Sequence, residues 1–174
     1  MNNAEIEERY LREDRQSMTE PARQWLDRWL ADMDDRLDSW KVRYLPEGFR
    51  YDFSMESLDL LEEVILRRYQ DESDFEADSG SEFLEGAVRY YGETLRKRLS
   101  CRWGYQDMGP DVSNPFNRVP QIRSNTRDEY MDVIVPLHVF DYLVAERQPG
   151  VLQKMSGVIT RALHNAELDV DNLG

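Results

Sequence analysis

The sequence predicts an α+β fold in which several helices pack on a small, mostly antiparallel sheet. Apolar residues recur at helical spacing over several long segments, and short apolar runs bounded by proline and glycine lie in the second half. With 174 residues, of which 40% are hydrophobic and 11% aromatic, the chain is long enough to bury a core of its own. We therefore expect a single domain over residues 1–174, with residues 1–45 as a helical N-terminal portion.

The N-terminal portion contains two helix patterns, a weak one over residues 3–16 and a stronger one over residues 21–40. The stronger pattern repeats apolar residues at alternating spacings of four and three, at Leu26, Leu30, Met33, Leu37 and Trp40. Ser17 and Glu20 form a capping box before it, so one continuous helix is predicted there. Packing on the protein's own core is the favoured interpretation, and a coiled coil with a partner is the alternative.

The middle of the chain predicts a strand followed by two helices. Residues 49–53 alternate like a short strand after a turn at residues 46–48. Ser54 then caps a helix that ends in the acidic stretch of residues 71–81. The helix over residues 82–99 is the clearest element, because its apolar stripe is regular. Its opposite face alternates charges every four residues, which predicts exposure to solvent, at Glu85, Arg89, Glu93 and Lys97.

The second half predicts three short strands and two further helices. The strand candidates are residues 101–106, 119–123 and 131–135. Pro136 opens a helix that a Pro-Gly pair at residues 149–150 ends, and residues 151–163 form the last helix. In the helix before the first strand, Gly92 borders the apolar stripe and admits a close neighbour.

The charge of the chain makes several classes of partner improbable. Its 35 acidic and 22 basic residues give a net charge of −13. Such a chain repels the phosphates of nucleic acids and of anionic membranes, so neither is an expected partner. The charged N-terminus lacks the apolar segment of a signal peptide, and the apolar runs are too short to cross a bilayer. Because Cys101 is the only cysteine, no internal disulfide is expected, and a cytoplasmic location is predicted.

No recognised catalytic or cofactor-binding motif occurs in the sequence, so neither an enzymatic activity nor a cofactor is predicted. Cys101 lies among basic residues that would lower its pKa, but a small buried apolar role is the favoured interpretation. One cysteine and two histidines offer no zinc-site spacing. His138 lies among apolar residues and is expected in the core.

The acidic stretch has the spacing of an EF-hand calcium loop. Acidic residues stand at loop positions one, three, five, nine and twelve, at Asp74, Glu76, Asp78, Glu82 and Glu85. Ser79 replaces the glycine of the turn, however, and Ser81 replaces the apolar residue that pairs two such loops. A solvated acidic linker is therefore the favoured interpretation, and no metal site is predicted.

Opposite charges are sorted along the chain. Residues 1–80 contain 22 acidic and 11 basic residues, whereas residues 96–127 contain seven basic and two acidic ones. Part of the basic segment is irregular, and long irregular segments are often functional. A candidate small-ligand or anion site follows, formed by Arg102, Trp103, Tyr105, Arg118, Arg123 and Arg127. The other interpretation is that these arginines dock on the protein's own acidic helices.

Residues 83–105, FLEGAVRYYGETLRKRLSCRWGY, place a Y-x-G-E motif in a helix that precedes an R-W strand. This pattern resembles that of uncharacterised bacterial domains, some of which are similar to the immunity proteins of toxin systems. The resemblance is confined to this segment and brings no catalytic residue with it. It implies a protein that acts by binding another protein.

Together these patterns predict a non-enzymatic, cytoplasmic protein that binds another protein, which its charge predicts to be basic. An immunity-type inhibitor and an adaptor both fit, and the acidic helical surface is the expected contact. The alternative is a small-ligand or anion-binding domain centred on the arginine-rich residues 102–127. An enzyme that uses Cys101 and a histidine is a third hypothesis.

Overall fold

Three consecutive helices form the N-terminal portion of the computed structural model. The structure describes residues 1–127, 130 and 132–172. The first helices are α1 (Asn3–Ser17), α2 (Glu20–Ala31) and α3 (Met33–Tyr44). Asn2 and Glu5 form a capping box at the start of α1, and Thr19 caps α2. The predicted capping box of Ser17 and Glu20 is wrong, because Ser17 still belongs to α1.

A break at Asp32 divides the predicted helix of residues 21–40 into α2 and α3. Asp32 has a φ of −87° and a ψ of 0°, and its N–H donates to the carbonyls of Arg28 and Leu30. The buried residues on both sides of the break keep the helical spacing, at Leu26, Trp29, Met33, Leu37 and Trp40. The prediction of one continuous helix is therefore wrong, although its core-facing side was placed correctly.

The middle of the chain adds three helices, α4 (Ser57–Arg68), α5 (Glu72–Ala77) and α6 (Glu82–Arg98). Helix α5 forms within the stretch that was predicted to be an acidic linker. The Asp71 carboxylate accepts a hydrogen bond from the Asp74 N–H at its start, which is the usual role of aspartate at a helix N-cap.

No strand forms over residues 49–53, so that prediction is wrong. Phe49, Tyr51 and Phe53 instead cover the ring of Tyr90 in α6, with ring centroids 5.6, 5.1 and 4.9 Å from it. These alternating aromatic residues pack against a helix instead of a neighbouring strand. A segment packed in this way has the same alternating sequence pattern as a half-buried strand.

A small antiparallel sheet follows α6, and its strands are ordered β1-β2-β3. The strands are β1 (Cys101–Gly104), β2 (Gln121–Ser124) and β3 (Val133–Ile134). The register places Arg102 opposite Arg123 and Ile122 opposite Ile134. Each of the three strands lies within or beside a strand that the sequence predicted. Residue 131, the first residue of the predicted strand 131–135, lies outside the described residues. The predicted α+β class is therefore confirmed.

The chain continues with three helices, α7 (Pro136–Glu146), α8 (Val151–Met155) and α9 (Gly157–Asn172). Pro136 opens α7 as predicted. The last predicted helix, over residues 151–163, is instead two helices, because the chain turns at Ser156 between α8 and α9. Within the described ranges, no helix combines the length and the hydropathy that crossing a bilayer requires.

Helix α6 lies inside the core and contacts α3, α7 and β1. Two of its glycines admit tryptophan rings, because Gly86 faces Trp40 of α3 and Gly92 faces Trp103 of β1. A Cβ atom added at either glycine would overlap the indole ring. Gly92 was predicted to admit a close neighbour, and Trp103 is that neighbour.

The charged face of α6 is buried at its centre, contrary to the prediction of a solvent-exposed face. Arg89 is 3% exposed and Glu93 is 4% exposed. Each buried charge is compensated, since Arg89 bonds to Glu85 and to the Trp29 carbonyl, while Glu93 bonds to Arg96 and Trp103. The regular charge pattern of α6 thus indicates a buried, ion-paired face instead of a solvent-exposed one.

Candidate functional site

The two arginines of the candidate anion site that lie on paired strands point toward helix α1. Arg102 is 1% exposed, and its Nε and Nη2 donate to the two Asp14 carboxylate oxygens over 2.7 and 2.9 Å. Its remaining nitrogen donates to the Ser124 carbonyl, and its guanidinium lies 5.0 Å from the Tyr10 ring centroid. A bidentate pair of this kind fixes orientation as well as charge. Arg102 therefore holds α1 against the sheet.

Arg123 shares this arrangement from the neighbouring strand. Its Nη1 lies 3.8 Å from an Asp14 oxygen, and its other nitrogens donate to the Gln121 side chain. Two like charges lie opposite each other in the sheet, and one carboxylate between them reduces their repulsion. An anion in solvent would have to displace Asp14 to reach either guanidinium.

The other predicted ligand-binding residues are dispersed. Trp103 is buried, and its Nε1 donates to a Glu93 oxygen over 2.8 Å. Tyr105 is also buried and stacks on Trp25 of α2, with centroids 3.8 Å apart. Two arginines are at the surface, namely Arg118, which bonds Asp107 over 2.8 Å, and Arg127. The structure thus does not bring the six residues together into one exposed site.

A chain of ion pairs beside Asp14 also joins α1 to α6. Arg96 lies 3.2 Å from a Glu7 oxygen and 2.8 Å from a Glu93 oxygen. Burial raises the pKa of Glu7, because its loss of solvent outweighs the attraction of Arg96. Burial also opposes ionisation of Glu93, but hydrogen bonds from Arg96 and Trp103 outweigh it and lower the pKa of that carboxyl. Several arginines of the basic segment therefore serve as counter-charges inside the protein.

The residues of the third hypothesis, a cysteine and a histidine, are not arranged for nucleophilic catalysis. Cys101 is buried, and burial raises the pKa of its thiol to about 12, so it stays protonated near neutral pH. His138 of α7 and His164 of α9 are exposed. The core position predicted for His138 is wrong, because α7 buries the neighbouring Val139 and Phe140 instead.

The stretch with calcium-loop spacing is also committed to internal contacts. Asp74 and Glu76 lie in α5, Glu82 and Glu85 lie in α6, and the Asp78 carboxylate accepts hydrogen bonds from Arg68, Tyr69 and Ser81. Over the part of the chain that the structure describes, no three acidic, histidine or cysteine side chains are placed to hold a metal ion.

Three carboxylates of α3 are exposed on one side of the helix, and none forms an ion pair with another described residue. This α3 acidic face consists of Asp34, Asp35 and Asp38. Two bases of the same helix are used elsewhere. The Lys41 Nζ lies 4.6 Å from the Tyr51 ring centroid, and Arg43 bonds Glu82 over 2.6 Å. The three carboxylates of α3 therefore face solvent.

A cleft of about 440 Å³ opens between α2 and α6, where sequence reasoning placed no site. Trp25 and Trp29 of α2 stack along it with centroids 4.9 Å apart. The Arg89 guanidinium lies 3.7 Å from the Trp29 ring centroid. The available sequence signal was the pair of tryptophans four residues apart, which widens the apolar face of α2 beyond the regular stripe.

Comparison of the chain with models of protein families, with curated proteins and with solved structures found no significant match in any of the three.

Proposed function

We propose that this chain is a non-enzymatic, cytoplasmic domain that binds a basic protein through the α3 acidic face. The observation that carries the proposal is the separation of charges on α3 itself. Arg43 bonds Glu82 and Lys41 lies over the Tyr51 ring, whereas the carboxylates of Asp34, Asp35 and Asp38 face solvent. Such a surface attracts a cationic partner from a distance and orients it on approach.

An apolar residue lies beside these carboxylates. Val42 is 85% exposed, and it follows Asp38 by four residues, so both side chains lie on the same side of α3. Protein interfaces combine an apolar core with a polar rim. Val42 would add a desolvated contact to the electrostatic attraction of the α3 acidic face.

The negative charge of the α3 acidic face affects Tyr51, which lies in the segment between α3 and α4. Burial, together with the charges of Asp38 and Asp34, raises the pKa of Tyr51. The effect of both carboxylates on Tyr51 supports a negative potential at this surface. An immunity-type inhibitor and an adaptor would both use a contact of this kind.

The alternative function, an anion-binding domain centred on residues 102–127, gains no support from the geometry of that segment. Arg102 and Arg123 are engaged with Asp14, and Trp103 is engaged with Glu93. An anion would have to break these internal contacts before it could bind.

Affinity capture with a matched pair of variants tests the proposed function. The test variant is Asp34→Asn/Asp35→Asn/Asp38→Asn, and the control is Glu167→Gln/Asp169→Asn/Asp171→Asn, which removes the same charge from exposed positions of α9. We expect wild-type and control chains to retain one basic protein from cells at low salt, and the test variant to lose it. Equal retention by all three chains would reject the α3 acidic face as the contact.

A further inference from the structure

The cleft between α2 and α6 differs in charge from the rest of the protein. Three arginines and two carboxylates line it, so its formal charge is positive in a chain whose net charge is −13. The charged residues are Arg28, Arg36, Arg89, Asp32 and Glu85. A local reversal of sign in an acidic protein favours an anionic ligand.

Two of these arginines are available to a ligand. Arg28 and Arg36 are exposed, and neither guanidinium has a hydrogen bond or an ion pair with another described residue. Most other arginines of the described chain are engaged, for example Arg96 with Glu7 and Arg147 with the C-terminal carbonyls of α4. Arg89 is also engaged, because it forms an ion pair with Glu85 and so neutralises one of the two carboxylates of the cleft.

The walls of the cleft are apolar and aromatic. Trp25 is half-buried and stacks on both Tyr105 and Trp29, with centroids 3.8 and 4.9 Å apart, which holds its ring in place. The apolar lining is completed by Trp29, Leu84, Val88, Pro120 and Leu137. Rigid aromatic walls with a few polar groups at the rim are typical of sites for small organic molecules, and the volume of about 440 Å³ lies within their usual range.

We infer that this cleft binds a small aromatic monocarboxylate. The aromatic ring packs against the apolar side chains of the wall, Leu84, Val88, Pro120 and Leu137, and the carboxylate receives hydrogen bonds from Arg28 and Arg36. A planar guanidinium matches a carboxylate with two parallel hydrogen bonds, which explains a preference for this anion. Asp32 also lines the cleft, and its charge disfavours ligands with two or more negative charges, such as phosphate monoesters.

A buried donor lies beside the cleft. Trp29 Nε1 is the one fully buried side-chain polar atom of the described chain that has no hydrogen-bond partner. An unsatisfied donor of this kind is uncommon in folded proteins. It is covered by protein atoms, so a ligand oxygen reaches it only when a covering side chain moves. Its proton signal is therefore a local reporter of binding.

The test uses indole-3-acetate and indole-3-acetamide as probes, which share a ring system and differ in charge. Each probe is titrated into the full chain, and the indole N–H signals of the four tryptophans are followed by NMR. We expect the carboxylate to bind at least about tenfold more tightly than the amide, and to shift the Trp25 and Trp29 signals most.

Two double variants locate the effect. Arg28→Gln/Arg36→Gln should reduce the preference for the carboxylate to within about twofold, since the ring contacts remain. Arg12→Gln/Arg67→Gln removes two exposed arginines outside the cleft and should keep the wild-type preference. The inference is overturned if neither probe binds up to about 5 mM, if both bind equally, or if the control loses the preference as well. None of these results bears on the α3 acidic face, which lies outside the cleft lining.

Discussion

The carboxylate of Asp14 in α1 receives two hydrogen bonds from Arg102 in β1, over 2.7 and 2.9 Å, although 88 residues separate them in sequence. The acidic N-terminal portion and the basic segment are thus joined inside the protein. This contact neutralises positive charge that would otherwise attract an anion to residues 102–127. The carboxylates of α3 take no part in this contact and are exposed.

Replacement of Asp14 tests this contact. Asp14→Asn leaves Arg102 buried without its counter-charge, so the free energy of unfolding should fall by about 3 kcal/mol. Urea denaturation followed by circular dichroism measures the change. Glu13→Gln, which breaks an exposed pair with Arg9 on the same helix, should leave stability near the wild-type value. Similar losses in both variants would mean that Asp14 is an ordinary surface residue.

The glycines of α6 should not tolerate a methyl group. Gly92→Ala and Gly86→Ala each force an indole ring to move, and each should reduce stability by about 1–3 kcal/mol despite the better helix propensity of alanine. Gly157 in α9 has no atom near an added Cβ, so Gly157→Ala should be neutral or slightly stabilising. Thermal unfolding of the three variants is the measurement. Stabilisation by Gly92→Ala would contradict the close contact with Trp103.

Two buried tryptophans should respond differently to the loss of their N–H groups. Trp103→Phe removes the donor to Glu93 and leaves a buried carboxylate less satisfied, whereas Trp29→Phe removes a donor that has no partner among the described residues. The first change should cost about 1–3 kcal/mol more than the second. Denaturant midpoints for both variants measure the difference. Equal costs would show that the bond to Glu93 contributes nothing beyond ring packing.

The stability of the protein should depend on pH through Glu93. The pKa of Glu93 is lower in the folded protein than its ordinary value of 4.5, so its contribution is complete above that value. The contribution is lost as the pH falls through the folded-state pKa, since the proton then breaks the bonds to Arg96 and Trp103. Glu93→Gln should therefore lose less stability than wild type between about pH 6 and pH 3. Parallel stability curves for the two chains would refute this role.

The sequence predicted those features that depend on one face of one element. The apolar stripe of α6, the role of Gly92 and the strand at Cys101 all follow from local spacing. The break at Asp32 was invisible because the apolar spacing continues through it. The burial of Arg89 and Glu93 was missed for a different reason. A charged face predicts solvent exposure unless other elements cover it and supply partners, as the Trp29 carbonyl of α2 does for Arg89 and the Trp103 indole of β1 does for Glu93.

The candidate site was the least predictable feature. The separation of acidic and basic segments was visible in the sequence, but only tertiary contacts decide which charges form ion pairs within the protein. Arg102 and Arg123 form ion pairs with Asp14, whereas the side chains of Arg28 and Arg36 line the cleft without an ion pair to a described residue. Nothing in local composition distinguishes these two pairs of arginines. The cleft beside Trp25 could be recognised only after α2 and α6 were brought together.

The dependence of partner affinity on salt tests the role of the α3 acidic face most directly. For the captured protein, surface plasmon resonance between about 50 and 500 mM NaCl should show a wild-type Kd that rises by about tenfold or more. The Asp34→Asn/Asp35→Asn/Asp38→Asn variant should bind weakly at low salt and respond little to added salt. A wild-type Kd that stays constant over this range, or a triple variant that binds like wild type, would contradict the proposed function.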